Sequence, residues 1–424
     1  MPYKIALIGT GGRSLSYAAA YQKRDDITIT ALADPNASHR HTMAKRAGLT
    51  DDYAEYDDWR DMLREQTELD GAVICSPNHL HAEHAIGCLE RGLPIALEKP
   101  LAPTKIACES IIDAERSNDG RTLIGFVLRS APFYTKIQEL ITRGLIGRIV
   151  SIQADELPGV GVSSVMNRSP WRRYRDKSGG SMLEKSSHDL DLLNWIMDCR
   201  PISLTSYGNR QIFVTDPELP EHCGDCHLQT ACPYYNPTRS EHEDEGEEAL
   251  HQFIREDDRC IYNIDKDVLD VQTLNIEYES GALASFVLNF HAMGPRAGRN
   301  FHAVGTQGRI WGNLHDAKVH LYRNGPGKEE VFDCSGDGTG HGGGDQLHAY
   351  ELITMMNEPG YRPRQNAYAG YLSAAMCFAA DRFSLWRRRL CRTGLIKHSP
   401  PDKHEPCIQH IAIDPDENDI RFSQ

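Results

Sequence analysis

From residue 3 to about residue 125, short apolar runs alternate with helix-length segments, and this alternation restricts the possible folds more than any other feature of the chain. The runs Lys4–Gly9, Ile27–Ala33, Gly71–Cys75, Pro94–Leu97 and Leu123–Phe126 read as strands, each separated from the next by enough chain for a crossover helix. That is the pattern of βαβ units and a parallel sheet. At 424 residues the chain exceeds what one hydrophobic core sustains, so a second domain is expected. Its texture differs: Ile149–Asp155, Ile202–Arg210, Val271–Tyr278, Leu283–Phe290, Phe301–Gly305 and Val319–Tyr322 read as longer strands with turn residues between them. The expected fold is an α/β Rossmann domain over residues 1–125, followed by an α+β domain over residues 126–385 built on a large, open, mainly antiparallel sheet. An irregular cysteine-containing insertion occupies about 216–260, including the acidic run from Glu241 to Glu248, which reads as a solvated loop or helix face. A tail spans 386–424.

The first strand ends in a turn containing Gly9, Gly11, Gly12, Arg13 and Ser14. In a dinucleotide fold the first glycine permits the tight turn. The second lets backbone approach a pyrophosphate resting on the N–H groups of the following helix. Ser14 stands where a third glycine is usual. The second strand runs into Asp34, where a carboxylate can accept hydrogen bonds from the adenosine ribose and repel a 2′-phosphate, so NAD is expected in preference to NADP.

Composition narrows the functional classes. A formal charge of −14 opposes binding to phosphate backbones, and nucleic acid is not expected as a partner. No apolar stretch reaches the ~18 residues of a membrane helix. The first nine residues run directly into a strand pattern without the regions of a signal peptide, so a cytoplasmic location, with most of the twelve cysteines reduced, is expected.

Two further strand ends complete the pattern: Cys75, Ser76, Pro77, Asn78, His79 and His81 after the third strand, and Glu98, Lys99 and Pro100 after the fourth. With the glycine loop, the segment Gly125–Pro132, the helix Gly179–Asp191 and Gly305–Gly308, they resemble the glucose-fructose oxidoreductase and inositol dehydrogenase family, Gfo/Idh/MocA. The resemblance covers about residues 3–380. It implies an enzyme that oxidises or reduces sugars and polyols with a tightly held nicotinamide.

It also assigns roles. Lys99 lies at the sheet edge where ligands bind, and its ammonium can hydrogen-bond a reacting hydroxyl. Glu184 and His188, four apart on a helix, share a face; His188 is the candidate general base, with Glu184 orienting it. A glutamate here replaces the aspartate of many family members. Ser76, Pro77, Asn78, His81 and Glu98 are expected around the cofactor. Arg129, Trp171, Arg172 and Asp189 are expected on the substrate side, Asp189 having a packing alternative. The loop from His341 to Asp345 resembles a family feature near the pocket, although a glycine-rich turn is equally a structural device.

Cys223, Cys226, Cys232 and Cys260 are clustered. The first pair has the spacing at which two thiolates grip one ion, so a structural zinc is one expectation; unrelated buried thiols or a redox disulfide is the other. His222 or His227 could replace Cys260. Two enzymatic readings follow: an NAD-dependent sugar or polyol dehydrogenase, and a glycoside hydrolase or lyase that uses NAD catalytically through transient oxidation and elimination. A non-enzymatic NAD sensor ranks behind both. An open sheet has one face to cover, which predicts a homodimer or homotetramer packed through it.

Overall fold

The computed structural model describes residues 1–50, 53–236, 258–294, 297–325, 327–336, 340–392, 409–413 and 420–422. The acidic run, much of the insertion and most of the tail lie outside these residues.

The apolar runs of the first domain form β1 (Tyr3–Ile8), β2 (Ile27–Ala33), β3 (Ala54–Tyr56), β4 (Gly71–Ile74), β5 (Ile95–Leu97) and β6 (Thr122–Ile124), all parallel, in the order β3-β2-β1-β4-β5-β6. The strand order reverses between β1 and β4, which places a binding crevice at their carboxyl ends. β3 is the one strand of this sheet absent from the expected set; it is a three-residue edge strand.

The second sheet contains β7 (Ile149–Glu156), β8 (Pro201–Asn209), β9 (Val271–Tyr278), β10 (Leu283–Asn289), β11 (Asn300–Gly305), β12 (Gly308–Asn313), β13 (Lys318–Arg323), β14 (Glu330–Asp333), β15 (Gln409–Ile413) and β16 (Ile420–Phe422). Their order is β14-β13-β12-β11-β7-β10-β9-β8-β15-β16, antiparallel except for the β7–β10 pair. Along β9, Gln272, Leu274, Ile276 and Tyr278 are buried, whereas alternate positions elsewhere in the sheet, such as Val150, Leu283, Val287 and Val331, stay exposed. One face is therefore core and the other uncovered.

Two helices fix how the site is assembled. Ser181–Met197 is buried along most of its length and runs beside the helix Ala367–Arg392; the Ser373 hydroxyl donates to the Ser187 carbonyl at 2.6 Å. That second helix continues through Arg387, Arg388 and Arg389, past the expected start of the tail at 386. The segment Gly340–Asn357 returns to the first domain, where Ala349, Leu352, Ile353 and Met355 join Ile5, Leu7, Ile29 and Val73 in one core. Among the described residues no helix is long and apolar enough to cross a membrane.

Gly9 ends β1 with φ +84°, and a Cβ added there would lie 2.6 Å from the Ser76 amide nitrogen and 2.8 Å from the Cys75 carbonyl carbon. Both neighbours are backbone and cannot rotate aside. Gly9→Ala is expected to destabilise the protein by about 2 kcal/mol, combining left-handed strain with overpacking. A urea midpoint equal to that of the wild type would remove this account of the turn.

Candidate functional site

Two cavities meet at the switch point. One, of about 480 Å³, lies over the β1 and β2 ends and is lined by Gly9, Asp34, Asn36, Trp59 and Leu80. The other, of about 370 Å³, is lined by Gly12, Arg13, Glu98, Lys99, Trp171, Arg172, Glu184 and His341. Gly11, Cys75, Ser76 and Pro77 border both. Each volume lies in the range of small-molecule sites. A Cβ on Gly11 would project into open space, and the helix Gly12–Tyr21 begins beside it. The glycine loop thus offers open backbone at a helix N-terminus between two compartments, which fits a dinucleotide.

In the first compartment the Asp34 carboxylate accepts from the Thr10 amide at 2.9 Å and the Asn36 amide at 2.9 Å, which fixes its orientation. Asp34→Ala is expected to weaken NAD binding roughly tenfold or more, the size of a hydrogen bond to a charged group, with NADP binding unchanged or improved. Titration with both cofactors decides this; equal loss of the two would dismiss the ribose role.

The second compartment is organised around Glu184. Its carboxylate accepts from Asn78 Nδ2 at 2.8 Å and Arg172 Nε at 2.9 Å and lies 4.0 Å from Lys99 Nζ. Lys99 Nζ also donates to the Glu184 carbonyl at 2.5 Å. The Lys99–Pro100 peptide is cis. Burial pulls the Lys99 pKa below that of a free lysine, while Glu184 opposes the shift; the Glu184 pKa lies below normal because Lys99 and Arg172 outweigh the cost of burial. The Arg172 guanidinium rests 4.1 Å above the Trp171 ring. His81 spans the Pro100 and Ser76 carbonyls at 2.8 and 2.9 Å and so ties two strand ends together.

His188 lies at the back of this group. It is 3% exposed, and its Nδ1 is buried without a partner. Its ring sits edge-on to Phe126 at 6.0 Å and 5.6 Å from the His341 ring. Burial first, then the charges of Lys99, His341, Arg299 and Lys185, hold its pKa well below 6.5.

Several expected site residues serve the framework. Arg129 forms a two-pronged pair with Asp191 at 2.7 and 2.6 Å, and Asp189 is bound to Arg299 at 2.7 Å; neither Arg129 nor Asp189 lines the cavity. Each is matched by an opposite charge on a distant segment. Ser14 is fully buried, its hydroxyl turned back to the Gly11 carbonyl at 2.6 Å, which braces the loop. Arg13 bridges Glu98 at 2.7 Å and Asp345 at 2.9 Å, joining the glycine loop to the segment after β14. Sequence reasoning underweighted His341 and Asp345 and passed over Arg299. The four-residue spacing of the first two was the available signal.

Cys223, Cys226 and Cys260 are buried, and all four clustered cysteines are free thiols. Among the described residues no group of three or more Cys, His, Asp or Glu side chains is arranged to hold a metal ion, so the zinc expectation is not supported. Cys223 Sγ instead takes a contact at 3.7 Å from the buried Arg168 guanidinium, and His222 is paired with Asp258 at 2.6 Å.

Comparison with known proteins agrees with this geometry. Residues 3–126 match the model of an oxidoreductase family with an NAD-binding Rossmann fold, and residues 134–311 match the GFO/IDH/MocA C-terminal domain. YteT of Bacillus subtilis (strain 168) is 27% identical over 357 residues, covering 77% of this chain and 82% of that protein. D-glucoside 3-dehydrogenase of Escherichia coli (strain K12) is 28% identical over 200 residues, 46% of this chain and 54% of its own length. A solved structure of levoglucosan dehydrogenase in complex with NADH and levoglucosan superposes with a TM-score of 0.70 at 21% identity, covering 91% of this chain and 98% of that one.

Proposed function

Because this chain belongs to the Gfo/Idh/MocA family of NAD-binding oxidoreductases, we propose that it is an NAD-dependent dehydrogenase of uncharged sugars, sugar derivatives or polyols. The observation that supports this most directly is Lys99, 15% exposed, held beside Glu184 in the wall of the second cavity. Names among the relatives, D-glucoside 3-dehydrogenase, inositol 2-dehydrogenase and levoglucosan dehydrogenase, point to the same class of substrate.

The charges around the site favour a neutral ligand. Arg13 is matched by Glu98 and Asp345, Lys99 and Arg172 by Glu184, Lys185 and Arg299 by Glu156 and Asp189. A sugar acid would have to displace one of these internal carboxylates. A polyol can instead use the polar edges of the paired groups and the Trp171 face, as hydroxylated rings do.

Bound NAD supplies the hydride acceptor. Lys99 donates a hydrogen bond to the reacting oxygen and stabilises charge developing there. His188, whose Nδ1 has no partner among the described residues, is the general base that takes the hydroxyl proton. Glu184 holds Lys99, Asn78 and Arg172 in register, which is the function we assign to this glutamate. The uncovered face of the second sheet, with Val150, Leu283, Val287 and Val331 exposed, suits packing against another copy of the chain, and we assign the enzyme to the cytoplasm as a homo-oligomer.

The test is nicotinamide absorbance with purified protein, NAD and a panel of free sugars, polyols and aryl glycosides, with released aglycone followed in parallel. NADH accumulating with a free sugar or polyol is the expected result. Aglycone release without net NADH would replace the dehydrogenase by the redox-neutral hydrolase or lyase.

A further inference from the structure

The cysteines of the insertion lie together beside a buried cation. Arg168 ends the helix Val160–Arg168 and is fully buried. It donates from Nε to the Arg259 carbonyl at 3.0 Å, from Nη1 to the Ser164 hydroxyl at 3.1 Å and from Nη2 to the Tyr234 carbonyl at 2.8 Å. Among the described residues its hydrogen-bond partners include no carboxylate; the remaining one is Cys223 Sγ, 3.7 Å from Nη2. A buried guanidinium without a counter-charge is costly, and negative charge on the sulfur beside it is correspondingly stabilised.

A second thiol is within reach of that sulfur. Cys223–Asp225 is a single 3₁₀ turn, closed by the Cys226 amide donating to the Cys223 carbonyl at 3.0 Å. Such a turn brings its first and fourth Cα atoms within ~7 Å, the span a disulfide needs. Gly224, Asp225 and His227 are exposed, so a local opening of the turn admits a small reagent without disturbing the core. Cys232 is less buried than Cys223, but burial raises its pKa and keeps it as the unreactive thiol.

Arg168 also belongs to one wall of the second cavity. Its carbonyl accepts from Arg173 Nη1 at 2.8 Å, and Val165, Trp171 and Arg172, its neighbours in sequence, line that cavity. Arg172 in turn reaches Glu184 at 2.9 Å. The guanidinium is therefore the joint between the cysteine segment and the wall that carries Trp171.

We propose that Cys223 and Cys226 form a thiol-modification site whose reagent is a low-molecular-weight disulfide, and that its oxidation loosens the wall carrying Trp171 and Arg172. The Cys223 thiolate, stabilised by Arg168 as it forms, attacks one sulfur of the reagent; the reagent's S–S bond breaks and one thiolate leaves. Cys226 then attacks the Cys223 sulfur, a new S–S bond closes the turn, and the second thiolate leaves. The two cysteines lose two protons and two electrons, which the reagent takes up as it becomes two thiols. The oxidised Cys223 sulfur is neutral and turned toward Cys226, so Arg168 loses an acceptor and the segment through Arg172 loses one of its ties.

The test is equilibration of the full-length protein with reduced or oxidised glutathione, followed by alkylation and peptide mass analysis. The expected product is a peptide in which Cys223 and Cys226 are joined and two hydrogens are missing. Cys226→Ser, normal in the reduced state, should stop at a glutathione adduct on Cys223. Amide hydrogen exchange over residues 165–173 is expected to quicken about tenfold in the oxidised wild type and to recover on reduction. With whichever panel member reduces NAD, oxidation should raise KM about tenfold, with kcat and NADH affinity within about threefold. A bond to Cys232 or Cys260 instead, thiols that react only in unfolding urea, or exchange unchanged by oxidation overturns the proposal. So does native mass analysis showing a metal ion held by the four sulfurs. Only the KM measurement rests on the dehydrogenase reading; if no panel member reduces NAD, that reading fails, while mass and exchange still decide the thiol site.

Discussion

Lys99→Met is expected to lower kcat about 10³-fold with NADH affinity within about threefold of wild type. Methionine keeps the length and apolar stem of the side chain and removes only the ammonium. The fold should survive, because Glu184 keeps its bonds to Asn78 and Arg172 and the Glu184 carbonyl loses one donor at the cavity rim. What is lost is a cavity-lining ammonium, lowered in pKa by burial, that can reach the reacting oxygen. Steady-state kinetics with NADH fluorescence titration separates the two effects. A variant with normal kcat and weakened NADH binding would move Lys99 from the chemistry to the cofactor.

Arg299→Leu is expected to destabilise the second domain strongly, by about 3–5 kcal/mol, because it leaves buried carboxylates without their cation. Arg299 Nε lies 2.6 Å from Glu156 and 2.7 Å from Asp189, and all three side chains are buried. Lys185 still meets Glu156 at 3.1 Å, so Asp189 bears most of the loss. Burial already raises the Asp189 pKa to about 6, with Arg299 restraining it. Removing the arginine raises it further. An acid whose folded pKa lies above its unfolded value loses stability as pH rises, so the deficit should be smaller near about pH 5 than near about pH 8. Urea unfolding at both values measures this; a deficit independent of pH would point to lost packing instead of an unpaired charge.

Much of this architecture is legible in the sequence because it rests on local signals. Strand periodicity marks β1, β2 and β4, the glycine turn marks the crevice, and the spacing of Glu184 and His188 places both on one helix face. What escaped is held by partners distant in the chain. Arg129 reads as a free guanidinium until Asp191 is brought against it, and Asp189 reads as a pocket carboxylate until Arg299 arrives from the residue before β11. Edge strands β3 and β14 have three and four residues, too few to establish a period. The left-handed backbone at His341 has no signature in residue type beyond the glycines beside it.

The return of Gly340–Asn357 to the first domain bears on the order in which the protein can be made. Ile5, Leu7 and Val73 leave the ribosome long before Leu352 and Ile353, the residues that complete their core. Until then the nascent Rossmann sheet has an apolar flank open to water and to other chains, and its final consolidation waits on nearly the whole of synthesis. A fragment ending near residue 125, although it contains every strand of the parallel sheet, should therefore be prone to aggregation, and the boundary that divides the sequence there does not divide the folding unit.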